Sequence, residues 1–211
     1  MNAVLRNKLI DIAKRQISPD DICHDFEHAR RVLINAEKIA VAENADFDVI
    51  IPAALFHDVV IYPKDGLKAN LASDESAEKT GKILQKIKEY PEEKIEKVKT
   101  AIRQCSYAKG IMPELLEAKI LQDADGLEAM GAIAIMRTFS YYGTLKISFF
   151  HPDDPFARKR PLDSKKYALD LFYSRLLNQE KRLHTKTAKK LVKGRHNFLL
   201  AFLKELEEEM N

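Results

Sequence analysis

Wherever apolar residues recur along this chain, they recur at helical spacing. Leu5, Leu9, Ile12 and Ala13 share one face of a segment that ends near Ser18-Pro19. Val32, Leu33, Ala36, Ile39 and Ala40 mark a second helix, entered through His24 or Asp25. Asp46 or Asp48 caps a third, with Pro52 near its first turn, where a proline is tolerated; it carries Ile51, Ala54, Leu55 and His57-Asp58 before Pro63 and Gly66 break the pattern. Ser73 opens a polar helix whose buried side is Ala77, Thr80, Ile83, Leu84 and Ile87. Pro91-Glu92-Glu93 starts the next, since acids complement the dipole at a helix N-terminus, and it continues through Ile95, Val98, Ala101 and Ile102. Residues 115–121 form a short apolar helix, and 127–142 a long one expected to be central and largely buried. Residues 149–161 hold three of the eight prolines and read as an irregular loop, either an active-site flap or a connection. Helices over 165–178 and 185–208 follow. With no alternating strand pattern and no internal repeat, the expected fold is all-α. It is expected to be one domain over residues 1–211, with a core at about 20–142 and C-terminal helices at about 165–208 packed on it.

Composition narrows the function classes. A chain of 211 residues buries roughly 70% of its unfolded surface and needs no staples. Its two cysteines, Cys23 and Cys105, lack CxxC spacing, which excludes a disulfide framework and a thiolate zinc site. No apolar run approaches the roughly 20 residues that span a bilayer, and the N-terminal residues do not read as a signal peptide, so the expected location is the cytoplasm. Net charge is only +3, and the Lys186, Lys189, Lys190, Lys193 and Arg195 run reads as a solvated helix face. Neither a membrane nor a stable nucleic-acid partner is expected. A homodimer is allowed.

Three clusters carry chemistry. In His24-Asp25-Phe26-Glu27-His28 the two histidines stand four apart, on one face of a helix. His57-Asp58 follows the apolar run Ala53-Ala54-Leu55-Phe56, where an ionised carboxylate is costly unless it is paired or coordinated. Gln122-Asp123-Ala124-Asp125 sits between two apolar helices, and the same cost applies. Each cluster alone has an ordinary explanation, an N-cap or a hydrogen-bonded core histidine. Together they suggest a metal cage, and nitrogen and carboxylate donors without thiolate suit a divalent manganese, iron, nickel or zinc ion, with magnesium a further option.

These strings resemble the HD-domain superfamily of metal-dependent phosphohydrolases. His24 to Val32 resembles its opening H-x-x-x-H-x-x-R-V signature, Leu55-Phe56-His57-Asp58-Val59 its eponymous pair, and Ile120 to Asp125 its later aspartate segment. The likeness is nearest to a bacterial and archaeal subgroup that includes nucleoside triphosphate pyrophosphohydrolases, and it covers most of the chain. It implies His28, His57, Asp58 and Asp123 as metal ligands, and it leaves His24 outside that set. Two positions depart from the pattern: Cys105 stands where a histidine is common, and Gly126 where an arginine is common.

The expected activity is hydrolysis of a small-molecule phosphate substrate, a nucleotide or related ester or anhydride, by metal-activated water. Asp58, Asp125 and Glu78 are the candidate catalytic carboxylates, with Glu27 a further helper, and Arg31, Lys64 and Arg103 the candidate phosphate-binding cations. Two alternatives stand beside it: a phosphodiesterase acting on cyclic or oligomeric nucleotides, and a nucleotide-sensing module that keeps the cage without turnover.

Overall fold

The computed structural model describes residues 1–21, 23–63 and 66–210, which form nine α-helices joined by turns and short 310 segments. Among these residues the β pairing is an isolated bridge between Ser148 and Tyr167, so the fold is all-α as expected. No helix among them is long and apolar enough to cross a membrane. The chain divides into two compact units, residues 1–125 and residue 126 to the C-terminus.

The first unit is built around α3 (Phe47–Phe56), against which α1 (Ala3–Gln16), α2 (Phe26–Glu43), α4 (Ala72–Leu84) and α5 (Ile95–Arg103) pack. Its sequence FDVIIPAALF has no polar face after the first turn, and a helix apolar all round belongs in a core. Every residue from Val49 to Phe56 is buried. Each large side chain among them contributes about 1.5–3 kcal/mol by leaving water. Pro52 is the sixth residue of α3 rather than part of its first turn. A proline there cannot donate to the carbonyl four residues back, which is that of Asp48. The Tyr90 hydroxyl donates to that carbonyl instead, at 2.6 Å, from a buried position.

Two expectations are corrected along α6 and α7. The break comes later than the apolar pattern suggested: α6 runs Leu116–Glu128 and α7 runs Gly131–Thr144. Gly131 takes a φ of +76°, a left-handed turn that suits glycine and separates the two. Asp123 and Asp125 therefore lie inside a helix rather than between helices. Nor is α7 a buried central helix. Its buried residues are Gly131, Ala134, Thr138 and Tyr142, a single stripe, and Met136 is 66% exposed. The central helix of the first unit is α3.

In the second unit, the expected helix over 165–178 is shorter. α8 covers Asp170–Ser174 and is followed by a 310 segment, Leu176–Arg182. α9 (Lys186–Glu209) starts from Thr185, whose side chain accepts from the Ala188 N–H, close to the expected boundary. Phe139, Phe172 and Phe202 form the aromatic core, with ring centroids 5.8–6.4 Å apart.

What shortens α8 is an ion pair. Arg160 grips Asp170 through two bonds of 2.6 and 2.7 Å, and the Asp163 N–H adds a third at 2.6 Å, so the preceding backbone serves the carboxylate instead of a helix. Burial pushes the Asp170 carboxyl up, but the Arg160 and Asp163 bonds outweigh it and hold its pKa below the ordinary range. Asp170→Ala is therefore expected to cost about 3–5 kcal/mol in urea unfolding, because it strands the guanidinium. The pair's contribution is full above pH 3.8, the ordinary carboxylate value, and is lost as pH falls through the lower folded-state value. A variant as stable as the wild type at neutral pH contradicts this account.

Candidate metal centre

Asp25 starts the site. Its side chain accepts from the His28 N–H at 2.8 Å and caps α2, which puts His28 in the first turn and leaves His24 outside the helix. His24 binds Asp21 at 2.7 Å through Nδ1 and stands edge-on to the His28 ring. Seven residues beyond His28, on the same face of α2, Asn35 donates to the Ala124 carbonyl at 3.3 Å. This bond seats α2 against α6 beside Asp125.

His57 and Asp58 lie just past the C-terminus of α3, where the buried helix delivers them into the first unit. His57 Nδ1 is 2.9 Å from the Ala54 carbonyl. A carbonyl only accepts, so Nδ1 holds the proton, and in the neutral imidazole Nε2 keeps its lone pair.

The donor atoms converge. His28 Nε2 lies 3.6 Å from Asp125 Oδ1 and 3.8 Å from Asp58 Oδ2, and His57 Nε2 lies 3.4 Å from the same Asp58 oxygen. His28, His57 and Asp125 each present a donor within 4.8 Å of the others. Two ligands of one ion at bond lengths of 2.0–2.2 Å can be at most about 4.4 Å apart, a limit the 3.4, 3.6 and 3.8 Å separations satisfy. Two imidazoles and two carboxylates of this geometry fit a first-row divalent ion.

Asp123, which the resemblance implies as a ligand, is fully buried, and the three donors within 4.8 Å of one another are those of His28, His57 and Asp125. Residues two apart in a helix such as α6 point about 200° from each other. Asp125, expected as a helper, is the one whose Oδ1 lies 3.6 Å from His28 Nε2.

Of the other predicted residues, Arg31 lies one turn beyond His28 on α2. Glu78 and Arg103 are brought together with each other, Arg103 Nη2 donating to Glu78 Oε1 at 2.6 Å between α4 and α5. Hydrogen bonds from Arg103 and Lys99 hold the Glu78 carboxyl below its usual pKa, which makes it a poorer base. Glu27 pairs with Arg30 at 2.7 Å on the surface. Lys64 lies outside the described residues. Cys105 is a neighbour of the cage: burial pushes its thiol well above the ordinary value, the Asp58 and Asp125 charges act the same way, and Lys109 opposes them. That environment makes it an unreactive thiol. At Gly126, an added Cβ would lie 2.5 Å from Gln179 Nε2, whose amide takes the adjacent space.

The HD domain model matches residues 25–130, which span α2 through α6 and include every residue of the cage. The Bacillus subtilis protein YpgQ is 26% identical over 199 residues, covering 89% of this chain and 84% of its own length. Its crystal structure in complex with ADP matches with a TM-score of 0.72 over 97% of this chain and 94% of that one. Lin1889 from Listeria innocua is 31% identical, with a TM-score of 0.72 and coverage of 100% and 98%. An HD-superfamily hydrolase from Bacillus thuringiensis is 28% identical, with a TM-score of 0.73 and coverage of 99% and 97%.

Proposed function

This chain belongs to the HD domain family, and from that premise we propose that it is a metal-dependent phosphohydrolase acting on a nucleotide or a related phosphate ester or anhydride. The observation that carries the proposal is the convergence of His28, His57 and Asp125, with an Asp58 oxygen 3.8 and 3.4 Å from the two imidazoles. A divalent ion held by these residues would supply Lewis acidity, lowering the pKa of a bound water towards roughly 7 and neutralising phosphoryl charge.

The chain's own residues do the rest. His28 and His57 give neutral nitrogens, and the Ala54 carbonyl keeps the His57 lone pair turned to the site. Asp58 and Asp125 give two charges. We assign proton acceptance to Asp125, the more exposed of the two at 40% against 31%. Arg31 is the nearest predicted cation in sequence to a ligand, and we assign it a phosphate oxygen. Imidazole donors favour manganese, iron, nickel or zinc, and magnesium, which prefers oxygen, comes last. The ADP complex of the related Bacillus subtilis protein supports a nucleotide as ligand.

The test is a panel of nucleoside mono-, di- and triphosphates with each of these ions, detecting phosphate and pyrophosphate separately. Turnover of at least one nucleotide is expected. Tight binding without turnover under every ion would replace the enzyme with a sensor. Hydrolysis confined to cyclic or oligomeric nucleotides would make it a phosphodiesterase.

A further inference from the structure

The cage has no charge to spare for a polyanion. Asp58 and Asp125 contribute two negative charges, and a divalent ion cancels them. Affinity for a chain of phosphates must then come from cations placed around the cage. Most of the lysines and arginines near α4 are committed: Lys99 and Arg103 to Glu78, and Lys109 to Asp74 at 2.8 Å.

Lys79 is different. It is half-buried, and its Nζ donates to the carbonyl of Val59, the residue directly after Asp58, at 3.4 Å. Among the described residues no carboxylate lies within 4.0 Å of that ammonium. A cation drawn partly out of water with only a peptide carbonyl for company has an unmet need for an anion. The backbone it meets is held from the same helix. Three residues earlier on α4, the Ser76 hydroxyl accepts from the Val60 N–H at 3.0 Å and donates to the Val60 carbonyl at 3.1 Å. Lys79 and Ser76 thus bond two consecutive residues, Val59 and Val60, of the segment that leaves Asp58.

We propose that Lys79 is a specificity-determining residue that binds the phosphate chain of the substrate beside Asp58 and favours chains of two or more phosphates. This inference rests on the phosphohydrolase reading. The ammonium keeps two N–H bonds beyond the one given to Val59, enough to hold oxygens of a phosphate that the cage itself does not grip.

The test is calorimetric binding of inorganic phosphate, pyrophosphate and tripolyphosphate to the full chain at saturating manganese. Lys79→Gln is expected to weaken pyrophosphate and tripolyphosphate by about tenfold, the loss of one charge-assisted hydrogen bond, and phosphate by less. Lys79→Arg restores most of the affinity. Lys82→Gln, which removes the same charge from an exposed position on α4, stays within about twofold of wild type, the scale of a screened surface charge. Unchanged affinity in Lys79→Gln, an equal loss in Lys82→Gln, or a wild type that ignores pyrophosphate overturns the proposal. Nucleotide hydrolysis measured in parallel keeps the two readings apart. A wild type that binds pyrophosphate through Lys79 but hydrolyses nothing defeats the enzyme reading alone. A hydrolase whose KM is unmoved by Lys79→Gln defeats this one alone.

Discussion

Asp125→Asn is expected to lose at least about nine-tenths of its bound metal, while Asp123→Asn keeps nearly all of it. Removing a good ligand or its support costs roughly 10–100-fold in metal affinity, and Asp125 is the carboxylate whose oxygen stands 3.6 Å from His28 Nε2. Asp123 sits two positions earlier in α6, on the other side of that helix, and is fully buried. Its replacement therefore shows in melting temperature, not in metal content. Elemental analysis after gel filtration, with a thermal melt on each variant, separates the two effects. Metal loss from Asp123→Asn at wild-type stability would return that residue to the cage.

His57→Ala is expected to abolish both metal retention and hydrolysis. The ring is buried at the end of α3, its Nδ1 proton is given to Ala54, and its Nε2 lies 3.4 Å from Asp58. No rotation of a neighbour replaces a nitrogen held this way. The diagnostic is linkage. At metal a hundredfold above its dissociation constant the wild type gains about 2.7 kcal/mol of stability, and the variant gains none. A His57→Ala protein that is still stabilised by manganese to the wild-type extent would show that the ion binds elsewhere.

How much of this could be read from the chain follows from where each signal is local. The apolar stripes of α1 and α2 are local and stand in the sequence as in the structure, and of the paired cap candidates the structure selects Asp25 and Asp46. Position along a helix was harder. Pro52 was misplaced because its cost is met by Tyr90, a residue 38 positions away in the chain that no local pattern connects to it. Gln122-Asp123-Ala124-Asp125 lies inside α6, which the tetrapeptide alone does not reveal. α8 was overextended because the Arg160–Asp170 clamp competes for the backbone before it. Lys79 gave no signal in the sequence at all. A lysine on a polar helix face becomes notable only when its ammonium meets the residue after Asp58.

The most direct measurement is anomalous diffraction at the manganese edge from crystals of the metal-loaded protein. The account predicts a peak about 2.0–2.3 Å from donor atoms of His28, His57, Asp58 and Asp125, with Asp123 outside the coordination sphere. A peak coordinated by Asp123, or one away from His28 and His57, would contradict it.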